Sequence, residues 1–114
     1  MPKRYGSWVS RQFQLLRDWR RMVSLVAEIA AVIDPYSRVY VFGSIVEGRY
    51  TGASDIDVLI LTRIDPKKLY EEVTARLWDL IGEDSAILDL HVVPLEAAEK
   101  PPVKWWLRGA IRIR

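Results

Sequence analysis

The run Asp55-Ile56-Asp57-Val58-Leu59-Ile60-Leu61 restricts this chain more than any other stretch. Ile56 to Leu61 is short, apolar and rich in branched side chains, and it reads as a buried strand. Side chains alternate across a strand, so Asp55 and Asp57 project to one side while Ile56 and Val58 project to the other. Two carboxylates at the mouth of so apolar a strand are costly without a partner, and the fold has to bring one to them.

Two further strands are legible. Val39 to Phe42 is a β-branched and aromatic run closed at once by the turn residues Gly43-Ser44. Ile87 to Val93 is the other, stopped by Pro94, and its alternation puts Asp89, His91 and Val93 on one face and Leu88, Leu90 and Val92 on the opposite one. If this strand lies beside the Asp57 strand, Asp89 completes a cluster of three carboxylates. His91 shares that face, and a half-exposed sheet residue is the favoured reading of it over a phosphate or substrate contact.

Helices fill the intervals. From Ser10 to Ile33, the residues Leu16, Trp19, Val23, Val26, Ala30 and Ile33 recur at steps of three and four, which predicts one long amphipathic helix. Ser7 or Ser10 could cap its start, and Asp34-Pro35 ends it. Arg11, Arg17, Arg20 and Arg21 fall mainly on its other sides, as a solvated face or a surface for an acidic partner. Asp65-Pro66 has the form of an N-cap followed by proline at the first helical position, with Leu69, Val73, Leu77 and Leu80 as the apolar stripe up to Gly82.

No repeat or linker is visible. The expectation is a single α/β (α+β) domain over residues 1–114, a small mixed β-sheet flanked by helices, with an N-terminal helical region at 8–33, a core at about 36–94 and a C-terminal tail at 95–114. The tail contains Pro101-Pro102 and Trp105-Trp106 and follows no clear period. Its tryptophans could close the core, or together with Arg108, Arg112 and Arg114 form a docking patch or stack on a nucleic acid.

Composition narrows the chemistry. A chain of 114 residues can bury about two thirds of its unfolded surface, enough for one core. Cysteine is absent, which excludes disulfides, thiolate zinc sites and cysteine nucleophiles, so a metal must be held by oxygen or by the single histidine. The formal charge of +2 is too small to argue for nucleic acid. No stretch approaches the roughly 20 apolar residues of a membrane helix. The basic start, Met1 to Arg4, has no apolar h-region after it, and a cytoplasmic location is expected.

Three clustered carboxylates repel one another unless a cation neutralises them. Magnesium suits them, because it is hard and usually binds one or two carboxylates together with a substrate phosphate. Two such ions about 3.5 to 4 Å apart can activate an attacking oxygen and stabilise a leaving one. Opposite the carboxylates, Gly43 lets backbone approach a ligand, and a helical turn starting at Ser44 offers N–H groups and a hydroxyl to a phosphate. Gly48 and Gly52 keep the connection to Asp55 compact.

Gly43-Ser44, ten intervening residues, Asp55-Ile56-Asp57 and then Asp89 on a later strand resemble the polymerase-beta-like nucleotidyltransferases, and in size their minimal branch. The resemblance covers roughly Arg38 to Val93. It implies the palm-like fold, with Asp55, Asp57 and Asp89 as metal-ligating catalytic residues and Asp89 as candidate base for the incoming hydroxyl. It also implies that Gly43 and Ser44 hold the β- and γ-phosphates, with Arg49 and Ser54 completing the nucleotide contacts. Many relatives carry a basic residue after the Gly-Ser pair, where this chain has Ile45, and Glu47 adds a negative charge that Arg49 would compensate.

The implied activity is transfer of a nucleoside monophosphate, from ATP with Mg2+, to a hydroxyl acceptor. The implied partner is a helical HEPN-type protein, in a toxin-antitoxin pairing, and a homo-oligomer is left open. Neither a membrane nor nucleic acid is an expected direct partner. Two rivals stand beside this: a binding module that neutralises its partner by occlusion, and a catalytic subunit that modifies a small molecule.

Overall fold

The computed structural model describes residues 2–114, with side chains from Ser10 onward. Helix α1 (Pro2–Arg17) and helix α2 (Trp19–Ile33) are followed by strand β1 (Arg38–Phe42), the one-turn helix α3 (Ser44–Glu47), strand β2 (Ile56–Thr62) and helix α4 (Pro66–Ile81). A 3-10 turn (Gly82–Ile87) leads to strand β3 (Leu88–Pro94), and a second one (Leu95–Glu99) to helix α5 (Val103–Trp106) and strand β4 (Ile111–Arg112). The sheet order is β3-β2-β1-β4. β2 pairs antiparallel with β1 and parallel with β3, while β4 adds to the outer edge of β1. This is the mixed sheet flanked by helices that the alternation of strand and helix signals predicts.

Each face of the sheet has its own core. Ile56, Val58 and Ile60 of β2 pack with Val39 and Val41, with Leu16, Val23, Val26 and Ala30 of the N-terminal helices, and with Leu69, Val73 and Leu77 of α4. The opposite parity of the same strands, Phe42, Leu59 and Leu61, meets Val103 of α5, with Trp106 and Leu107 packed against it. The second core is small, and the acidic positions of β2 and β3 share its face.

Several sequence expectations need correction. The helix expected over 10–33 starts at Pro2 and is broken at Asp18 (φ −89°, ψ 22°), so Ser7 and Ser10 lie inside α1 rather than at a cap. Neither glycine nor proline marks the break, and the apolar period runs through it. Leu80 is 62% exposed, because the buried stripe of α4 advances in strict fours through Leu69, Val73 and Leu77 to the half-buried Ile81. Ile87 belongs to the 3-10 turn and not to β3. The tail is ordered into α5 and β4, elements of four and two residues, too short to leave a period. Asp65 caps α4 as expected, accepting from Lys67 N–H.

Asp34, where α2 ends, is a buried carboxylate with a full set of donors. Its Oδ2 accepts from the Thr62 hydroxyl (2.5 Å) and Arg63 N–H (3.2 Å), and its Oδ1 from Tyr36 N–H (3.0 Å). Burial pushes its pKa up, but these hydrogen bonds and the Arg63 charge outweigh it and hold the carboxyl below its ordinary value. A depressed folded pKa contributes stability that is full above the unfolded value, near pH 4, and lost as pH falls through the folded one. Asp34→Ala should cost about 3 kcal/mol at neutral pH, since it strands the buried Thr62 hydroxyl and two part-buried N–H donors. In urea unfolding, the wild type should lose stability on acidification more steeply than the variant, and parallel slopes would refute this.

Candidate active site

The register of the sheet decides where the acidic residues meet. Phe42 pairs with Asp57, and Asp57 pairs with Asp89, so the end of β1, the start of β2 and the start of β3 lie side by side. Asp57 and Asp89 share a sheet face because paired residues in neighbouring strands point the same way. Leu59 pairs with His91, which adds the imidazole to that face two residues further on.

His91 is where the structure exceeds the sequence reading. Its Nε2 lies 3.3 Å from Asp89 Oδ2 and 3.7 Å from Asp57 Oδ1, and that nitrogen is buried without a hydrogen-bond partner. The ring packs tilted against both Phe42 (centroids 5.4 Å, 57°) and Trp106 (4.9 Å, 56°), which are themselves stacked on each other at 5.1 Å. One donor atom from each of Asp57, Asp89 and His91 lies within 4.8 Å of the others. Two ligands about 2.1 Å from one cation can be at most about 4.2 Å apart, so a small closure would seat all three on one ion. The sequence signal for His91 was its shared parity with Asp89.

The electrostatics of the cluster favour a bound cation. Burial, and next the charge of Asp89, raise the Asp57 carboxyl above the ordinary carboxylate range, and the opposing pull of His91 does not cancel them. The donor set therefore fits a divalent cation. The two carboxylates suit a hard ion such as Mg2+, and an imidazole nitrogen is a donor that first-row transition ions accept more readily.

The glycine-serine turn lies against the same carboxylate. Gly43 has φ +83° and ψ −154°, a region essentially reserved for glycine, and a Cβ there would collide with Asp57 Oδ2. Ser44, half-buried, starts α3, in which the Val46 and Glu47 amides donate to the Gly43 carbonyl (3.1 and 3.2 Å) and those of Ser44 and Ile45 precede the turn's own hydrogen bonds. Gly48 ends that turn in the left-handed conformation, and Gly52 packs under the Phe13 ring.

The other expected residues are less closely gathered. Asp55 is exposed, one residue before β2, and is not among the three converging donors; it lines a separate cavity of about 320 Å3 with Arg11, Gln12 and Asp84. Arg49 is exposed and paired with Glu47, so it does neutralise the acidic residue of the turn. The Ser54 hydroxyl oxygen accepts from Thr51 N–H at 2.8 Å, and its carbonyl accepts from Gln12 Nε2 at 3.4 Å, which folds the loop leading to β2.

A family model described as "Nucleotidyltransferase domain" matches residues 15–112, which includes the turn, both carboxylate strands and the C-terminal elements. The chain belongs to the nucleotidyltransferase-domain family. No curated protein and no solved structure matches it. As a nucleotidyltransferase domain, it has a nucleotide as substrate, and the acidic cluster next to the glycine-serine turn is the place to look for nucleotidyl transfer. No helix among the described residues of this nucleotidyltransferase is long and apolar enough to cross a membrane.

Proposed function

We propose that the chain transfers AMP from ATP to a hydroxyl on a partner protein, the acceptor oxygen bonding to the α-phosphorus as the bond to the β-phosphate breaks and pyrophosphate leaves, with Asp57 and Asp89 as the residues that would hold Mg2+. The convergence of Asp57, Asp89 and His91 directly against the Gly43-Ser44 turn supports this reading most strongly. When bound, the cation supplies neutralisation of the triphosphate and polarisation of the attacking hydroxyl. Gly43 and Ser44 bind the β- and γ-phosphates, the glycine by letting backbone approach and the serine through its hydroxyl. Asp89, half-exposed at the edge strand, takes the proton of the incoming hydroxyl, with the His91 imidazole 3.3 Å from that carboxylate.

Asp55, standing at the rim before β2, joins the cluster as a further ligand, and Arg49 and Ser54 lie along the approach of the nucleotide. The acceptor comes from outside, because α5 and its flanking turns pack Trp106, Leu107 and Val103 against this sheet face. A helical HEPN-type partner in a toxin-antitoxin pair is the acceptor we favour, in the cytoplasm. Incubation with labelled ATP, Mg2+ and that partner should label the partner in wild type and in Trp105→Ala, and not in Asp89→Asn.

The second reading, occlusion without catalysis, draws on Ile45 and Glu47 in the turn, since Glu47 spends Arg49 on itself. Under that reading Asp89→Asn inhibits the partner as well as wild type does, and calorimetry with ATP and Mg2+ shows no heat.

A further inference from the structure

At the other end of the sheet the same alternation gathers cations instead of carboxylates. Arg38 pairs with Leu61 and lies four residues before Phe42, so it shares the face of Asp57 at a distance of about 13 Å along the strand. Arg63 continues the parity of Leu59 and Leu61 past the end of β2. On the edge, Arg112 pairs with Tyr40, and Arg114 follows at the same parity, its carbonyl accepting from Val39 N–H (3.2 Å). Four guanidinium groups thus line one cavity of about 280 Å3, together with Tyr36 and Ser37.

None of the four forms an ion pair with a carboxylate among the described residues. Two of them make neutral contacts instead. Arg114 donates to the Pro35 carbonyl (3.2 Å), and the Arg63 guanidinium lies over the Tyr36 ring at 5.0 Å. The acid beneath them, Asp34, is occupied by its three donors. Ser37 is 4% exposed, and its hydroxyl finds no partner, so the wall of the cavity also holds an unspent donor. Four arginines around one cavity, opposed by Asp34 beneath Arg63, carry excess positive charge for an anion to neutralise, and planar forked donors match the oxygens of phosphate.

We infer that this arginine cavity binds a phosphate group, at a site separate from the nucleotide-transfer cluster and not dependent on the reading given for that cluster. The phosphate has two sources, a small free phosphate compound or the backbone of a nucleic acid. Both present the same oxygens to Arg38, Arg63, Arg112 and Arg114, and both are displaced by salt.

The test is titration of the full chain with inorganic pyrophosphate and, separately, with a single-stranded oligonucleotide. EDTA is present throughout to remove the cations through which the Asp57 cluster would hold phosphate. Binding is followed by calorimetry and by amide NMR shifts, with wild type and Arg38→Gln/Arg112→Gln compared. Saturable pyrophosphate binding, with shifts at Ser37 and Arg63 and at least a tenfold loss in the double variant, establishes a small-phosphate site. Binding of the oligonucleotide alone, lost in the same variant, establishes a backbone site. Without any ligand the double variant should melt at the same temperature as wild type or higher, because it relieves repulsion. Absence of binding by both ligands, or binding that the double variant leaves intact, would overturn the inference.

Discussion

Asp57→Asn should lower nucleotidyl transfer on the order of a thousandfold, the several kcal/mol that a misplaced catalytic cation forfeits at about 1.4 kcal/mol per decade. The fold should survive. Asp57 is destabilised as an anion by burial and by Asp89, so its elevated folded pKa counts against the folded state at neutral pH. The neutral isostere removes that penalty. In EDTA the variant should therefore melt at or above the wild-type temperature, whereas added Mg2+ or Mn2+ should raise the melting point of wild type only. A variant that melts well below wild type in EDTA would mean the carboxylate is a structural anchor, and unchanged transfer would remove Asp57 from the chemistry.

Gly43→Ala should be nearly as damaging, by another route. The methyl group meets Asp57 Oδ2, and the backbone at φ +83°, ψ −154° is one that L-residues avoid at a cost of about 1–3 kcal/mol. Either the turn shifts or the carboxylate does. Stability should fall by about 2–3 kcal/mol, with loss of cation-induced stabilisation. Gly48→Ala is the matched control, since Gly48 also has positive φ (+73°) but nothing within 4 Å of an added Cβ. It should cost about 1 kcal/mol and leave the cation response intact. Equal effects of the two substitutions on cation response would show that the Gly43–Asp57 contact is irrelevant to the site.

The strands and their acidic parity were legible because a period of two survives in a run as short as Ile56 to Leu61. Asp55 could be grouped with Asp57, and Asp89 with His91, within their own strands, but whether the two sets share a face depends on the register Asp57–Asp89, which parity allows and does not choose. The asymmetry between Asp55 and Asp57 was not legible. Alternation treats them alike, yet Asp55 lies outside the ladder, where the Thr51–Ser54 turn directs the chain and no pleat constrains the side chain. His91 was undervalued for a related reason. Its partners, Phe42 and Trp106, come from elements 49 residues before and 15 after it, and no local pattern reports such a contact. The tail failed similarly: β4 has two residues, and only pairing with β1 makes it a strand.

The Phe42–His91–Trp106 cluster has a consequence for the order of events during synthesis. The Gly-Ser turn and all three aspartates leave the ribosome before Trp106 does, but the imidazole beside Asp89 packs against that indole. A nascent chain therefore carries every letter of the motif some time before it carries the indole that packs against His91 and Phe42, and that aromatic cluster has to wait for α5 to dock.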